Sequence, residues 1–167
     1  ENEIKLLMVK KDLVKDQPIS NILASYTPQV LDENSTIGLH YKQIKDSNEY
    51  ELYDLGSSNS PINIVSSKVN GYNVSQVSEG VYLFGDYSSS YALIDFPFEI
   101  YLPDTILKIG KYAFAKGTNL RKISIPDSCS EIGKAAFFGC KTLEEVKLPS
   151  NLKYLENYTF SNCENLK

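Results

Sequence analysis

Three consecutive blocks near the end of the chain are written to one pattern: "LPDTILKIGKYAFAKGTNLRKIS" (102–124), "IPDSCSEIGKAAFFGCKTLEEVK" (125–147) and "LPSNLKYLENYTFSNCENLK" (148–167). The period is 23 residues, a length that signals stacked repeats rather than a single globular layer. Leu102, Ile125 and Leu148 align, each followed by a proline; so do Ile109, Ile132 and Leu155, then Phe114, Phe137 and Phe160, then Leu120, Leu143 and Leu166. Ile106, Cys129 and Leu152 form another column, Gly117, Cys140 and Cys163 another, and Ile123 stands over Val146. Polar residues fill the positions between. One 23-residue unit buries too little apolar surface to offset the entropy of ordering it, so neighbouring units must stack and share a core. That arrangement is a solenoid.

Within a unit, "LRKISIP" and "LEEVKLP" end in strand alternation that proline stops, because proline has no N–H to give to a ladder. "KIGKYAFAKG" and "EIGKAAFFGC" read as a second short strand, a turn at Gly110 or Gly133, and a helical turn that carries the phenylalanine inward. The expected fold is therefore mainly β with short helical turns.

The middle block, "IPDSCSEIGKAAFFGCKTLEEVK", resembles almost column for column the repeat of the BspA-like leucine-rich-repeat family, also called the Treponema pallidum type; its two flanking copies share the likeness. The resemblance implies a right-handed leucine-rich-repeat solenoid closed at its N-terminal end by a β-hairpin cap. It extends upstream to "INIVSSKVNGYNVSQVSEGVYLFG" (62–85), where Val74 takes the column of Ile106, Val77 that of Ile109 and Tyr82 that of Phe114. The offset there is 32 instead of 23, so nine residues are inserted within 86–101, and Ile100 then matches Ile123. This copy carries Ser78 where the family has glycine and Tyr82 where it has phenylalanine.

The chain divides accordingly into three parts. Residues 102–167 hold three repeats, the last incomplete; residues 37–101 hold a hairpin around "YKQI" and "YELYDL", the loop "GSSNSP" and the irregular first copy. Residues 1–36 are of unclear class, a cap or the end of a preceding domain, with a strand expected at "EIKLLMV", a short helix at "PISNILASY" and a linker at "DENST". Because it starts at Glu1 and stops part-way through a repeat, the sequence reads as a piece of a longer chain.

Chemistry is hard to place on such a chain. Three cysteines spaced by 11 and 23 residues match neither paired CxxC nor zinc-finger spacing, and the single histidine, His40, lies far from them with no G-x-S-x-G elbow anywhere. We expect no catalytic residues, no cofactor and no metal. Cys140 and Cys163 stand one coil apart, within disulfide range at the Cα atoms, but stacked parallel side chains hold their Cβ atoms apart, so two small apolar thiols in a buried ladder is the favoured reading. A net charge of −4 offers no basic footprint for nucleic acid, and no apolar run approaches the length of a membrane span.

The surface that the repeat itself creates is a better candidate. With Ile123 and Ile125 pointing in, Lys122 and Ser124 point out; one coil on lie Glu145 and Lys147, one coil back Glu99 and Tyr101. These six form the candidate protein-binding face. The insertion contributes a candidate binding loop with Tyr87, Tyr91 and Phe96. The resemblance implies a secreted or cell-surface protein that adheres to host, matrix or other cells through a protein partner. The alternative is a non-catalytic appendage or spacer of a larger surface enzyme or multidomain protein.

Overall fold

The structure, a computed structural model, describes residues 29–54, 60–81, 98–117 and 119–167. The strand and helix expected before residue 29, the loop expected at 56–61 in its first four residues, and Tyr82 lie outside the described residues. Among the described residues there are ten short strands: β1 His40–Gln43, β2 Tyr50–Asp54, β3 Ile62–Ile64, β4 Lys68–Val69, β5 Tyr72–Val77, β6 Glu99–Tyr101, β7 Lys108–Ile109, β8 Lys122–Ser124, β9 Glu131–Ile132 and β10 Glu145–Lys147.

They build two sheets. The first runs β1-β2-β5-β7-β9, with β4 folded back on β5; its β1–β2 and β4–β5 pairs are antiparallel hairpins and the rest is parallel. The second, β3-β6-β8-β10, is parallel throughout. Registers follow the sequence columns: Val77 pairs with Ile109 and Ile109 with Ile132, while Ile100 pairs with Ile123 and Ile123 with Val146. The offset of 32 across the insertion is thus real in three dimensions.

The core lies between the sheets. Phe114, Phe137 and Phe160 stack with ring centroids 5.1 and 5.2 Å apart and planes within 14°. Ile106, Ile109, Leu120, Ile123, Ile125, Cys129 and Leu143 complete the layers and are fully buried. Each coil's corner is closed by a short polar side chain that satisfies a backbone group of its neighbour: Ser128 Oγ donates to the Ile106 carbonyl (2.8 Å), Thr142 Oγ1 to that of Leu120 (2.9 Å), and Asp127 Oδ1 accepts the Ser150 N–H (2.9 Å), which holds the Asp127 carboxyl below its usual range.

The expected helical turn is not a helix. Among the described residues none is helical, and the stretch after Gly110 or Gly133 instead forms a third ladder between coils. Ala113, Ala115 and Gly117 donate to carbonyls three residues back in their own coil; the alternate amides of Tyr112, Phe114 and Lys116 donate to Lys134, Ala136 and Phe138 of the next. Ala135, Phe137 and Gly139 repeat this against Asn157, Thr159 and Ser161. Such alternation needs a left-handed residue in each turn, and the columns Tyr112/Ala135/Tyr158 and Lys116/Gly139/Asn162 all have positive φ.

Gly110 and Gly133 permit the close stacking. A Cβ on Gly110 would lie 2.6 Å from the Glu79 nitrogen, and one on Gly133 2.6 Å from that of Lys111. In the third coil the position is Glu156; no strand forms at Leu155, and that side chain is 44% exposed. At the other end Ser78 occupies the column, with its hydroxyl buried and without a hydrogen-bond partner.

Residues 29–36, expected to end in a linker, are docked onto the cap. Leu31 bridges Val69, Val30 and Asn70 exchange hydrogen bonds, and the Asp32 carboxylate accepts both the N–H and the hydroxyl of Ser67 (2.6 Å each), which lowers its pKa. The β4–β5 connection turns on Asn70 and Gly71, both with positive φ as a two-residue mirrored hairpin turn requires. Hydroxyls of Thr36 and Ser60 occupy the outer amides of Ile64 and Ile62, which protects the edge of the second sheet from pairing with another chain.

Candidate protein-interaction face

Parallel register in the second sheet sets its outward side chains in two rows. Ile62, Glu99, Lys122 and Glu145 form one; Ile64, Tyr101, Ser124 and Lys147 form the other. All six residues expected on this face from the sequence lie on it. Lys122, Glu145, Lys147 and Tyr101 are exposed, and Glu99 and Ser124 are half-buried.

Ile62 and Ile64 are residues that sequence reasoning missed, at 43% and 41% exposed beside Tyr101 at 44%. The reason is local. "INI" reads as two inward isoleucines flanking an outward asparagine, but β3 is locked in register with β6, so Asn63 takes the inward column of Ile100 and is 1% exposed. Aligning Val65 with Leu102, one position after each strand, would have revealed the inversion, since Val65 is buried there and donates its N–H to the Tyr101 carbonyl.

The face is polarised. Its β3–β6 end is apolar and aromatic, with Phe98 exposed at the rim under the Arg121 guanidinium, 5.4 Å from the ring centre. The Tyr101 hydroxyl donates to Glu99 Oε2 (2.7 Å), which orients the ring and raises the tyrosine's pKa through that bond and the carboxylate charge. The β8–β10 end is charged, with Lys122 only loosely paired to Glu145 at 3.8 Å. Polar groups that are solvated and weakly paired, beside exposed large apolar side chains, can be desolvated by a partner at modest cost.

The outward row of the first sheet is different. Lys42, Glu51, Gln76, Lys108 and Glu131 follow one another across it; Gln76 Nε2 donates to Glu51 (2.9 Å), Lys108 pairs with Glu131 (2.7 Å), and the Lys42 ammonium lies over the Tyr53 ring. Its polar groups already satisfy one another.

The loop residues Tyr87, Tyr91 and Phe96 lie outside the described residues. His40 sits at the cap edge against Asp54 (3.4 Å), both about half exposed. Among the described residues no three His, Cys, Asp or Glu side chains gather as a metal site requires, and no helix is long and apolar enough to cross a membrane.

Comparison with known proteins agrees with this architecture. The family described as "BspA type Leucine rich repeat region (6 copies)" matches residues 89–167. Among solved structures, a leucine-rich repeat protein of T. pallidum superposes with a TM-score of 0.58 at 21% identity over 77% of this chain and 66% of that one. A leucine-rich repeat protein of Bacteroides capillosus gives 0.59 at 20% identity over 75% and 89%, and a leucine rich cell surface protein of Faecalibacterium prausnitzii 0.52 at 18% over 84% and 41%. The chain thus spans just under two thirds of the first of these proteins and less than half of the third. No curated protein matches. Repeats of this kind generally serve protein binding through their extended sheets. Residues 89–167 are a BspA-type leucine-rich-repeat region, and the coil and hairpin ahead of them continue the same solenoid.

Proposed function

We propose that the protein is a secreted or cell-surface recognition module that binds another protein through the outward face of the second sheet, in the service of adhesion to host, matrix or other cells. The observation that carries this reading is the polarised face: Ile62, Ile64 and Tyr101 supply an apolar anchor, and Lys122, Glu145 and Lys147 a charged flank, on strands held rigid by parallel pairing. Interfaces draw their affinity from such central apolar and aromatic anchors, and their selectivity from surrounding charge. A surface location is supported by the F. prausnitzii protein of similar fold, which is described as a cell surface protein.

The test is a pull-down from serum, matrix extract and host-cell lysate, with three baits: the native chain, an Ile64→Asp/Tyr101→Ala variant, and a Lys42→Glu/Lys108→Glu variant of the first sheet. A protein retained by the native chain and the first-sheet variant, and bound at least about tenfold more weakly by the second-sheet variant, supports the reading. A role as spacer predicts that none of the baits differs, even when Lys122, Glu145 and Lys147 are reversed together.

A further inference from the structure

Cys140 and Cys163 occupy one column of successive coils, next to each other in the stack. Two cross-coil contacts hold the coils in register at this point: the Gly139 N–H donates to the Ser161 carbonyl (2.8 Å) just before the cysteines, and Lys141 pairs with Glu164 (2.9 Å) just after them. Each sulfur also reaches one coil back, Cys140 Sγ to the Phe114 carbonyl (3.1 Å) and Cys163 Sγ to that of Phe137 (3.2 Å). The Phe137 carbonyl accepts the Cys140 N–H as well, which draws Cys163 Sγ to the backbone of its partner cysteine. Cys129 stands in another column, fully buried, with its sulfur on the Glu131 carbonyl.

We propose that Cys140 and Cys163 form an oxidisable dithiol which a small-molecule disulfide converts to a bond between adjacent coils. Their environments divide the work. Cys163 is half-buried, and its interaction with Cys140 favours its thiolate; Cys140 is enclosed, and that interaction together with burial keeps it protonated. The Cys163 thiolate attacks one sulfur of the oxidant RSSR, whose S–S bond breaks, and the RS⁻ released takes a proton from water. Cys140 then gives its proton to solvent and attacks the Cys163 sulfur of the mixed disulfide, expelling the second RS⁻. Two cysteine thiols are oxidised to one cystine, and one RSSR is reduced to two RSH.

The bond would close a loop of one repeat and fasten the third coil to the second where the strand at Leu155 is missing. Low-molecular-weight disulfides persist outside cells, the compartment of the proposed function, although the reaction itself does not depend on that reading.

The test uses the whole chain, folded, incubated with oxidised glutathione, quenched with acid, alkylated and mapped by mass spectrometry. The proposal expects a mass lower by the two thiol hydrogens, a peptide linking Cys140 to Cys163, an alkylated Cys129, and a thermal midpoint about 10 °C higher that dithiothreitol reverses. Cys163→Ser abolishes both the link and the shift. Three alkylated cysteines after oxidation would overturn it, as would a glutathione adduct that persists on Cys163 or a link through Cys129.

Discussion

Gly133 is one side chain away from undoing the stack. Its missing Cβ leaves room for the Lys111 backbone, and the chain contains both departures from that rule: Glu156, where the strand is lost, and Ser78, where a hydroxyl is buried unpaired. Gly133→Ala should therefore cost about 1–3 kcal/mol in chemical denaturation, because backbone has to move to admit the methyl group. A second single residue governs the cap's response to alkali. Tyr41 is buried, its hydroxyl oxygen accepts the Ser66 N–H (2.9 Å), and burial pushes its pKa up to about 12. Its unfolded value is near 10, so the raised folded value makes a contribution that is complete below pH 10 and lost between pH 10 and about 12. Stability should fall by an amount on the order of 2 kcal/mol across that window, and Tyr41→Phe should flatten the fall. A denaturation series against pH, with tyrosinate absorbance as the local probe, checks both.

Among the elements, the turn ladder differs most from what the sequence suggested. Tyr112, Lys116 and Ala135 carry none of the glycine or asparagine signals that normally mark a left-handed backbone, and only Gly139 and Asn162 hint at it. "AFAKG" and "AFFGC" therefore look helical. The cross-coil hydrogen bonds decide otherwise, and such bonds exist only once the coils have stacked. Gly139→Ala separates conformation from space: its Cβ would meet nothing closer than Lys116 Cγ at 3.6 Å, yet φ is +72°. We expect a loss of about 1 kcal/mol in the denaturation midpoint energy, all of it from backbone strain. The strands were far more legible. Ile109, Ile123, Ile132 and Val146 fall where their columns put them, because the inward position is apolar in each of these coils. The β3 strand was not legible, since Ile62 and Ile64 obey the register of Glu99 and Tyr101 rather than their own hydrophobicity.

At the largest scale, the described residues form a two-sheet solenoid whose faces differ in how fully their charges are paired. Side-chain order along the first sheet neutralises itself through Gln76–Glu51 and Lys108–Glu131, while the second leaves Ile62, Ile64 and Tyr101 open beside loosely paired charge. The charged half of that surface could be read from alternation in the repeats, and its apolar half required the fold. Hydroxyl-radical footprinting, with and without the captured partner, tests the recognition face most directly, because nature supplies a matched pair of reporters: Tyr101 on the second sheet is 44% exposed and Tyr53 on the first 49%. The account predicts that binding protects Tyr101 and leaves Tyr53 as reactive as in the free protein; protection of Tyr53 with Tyr101 unchanged would contradict it.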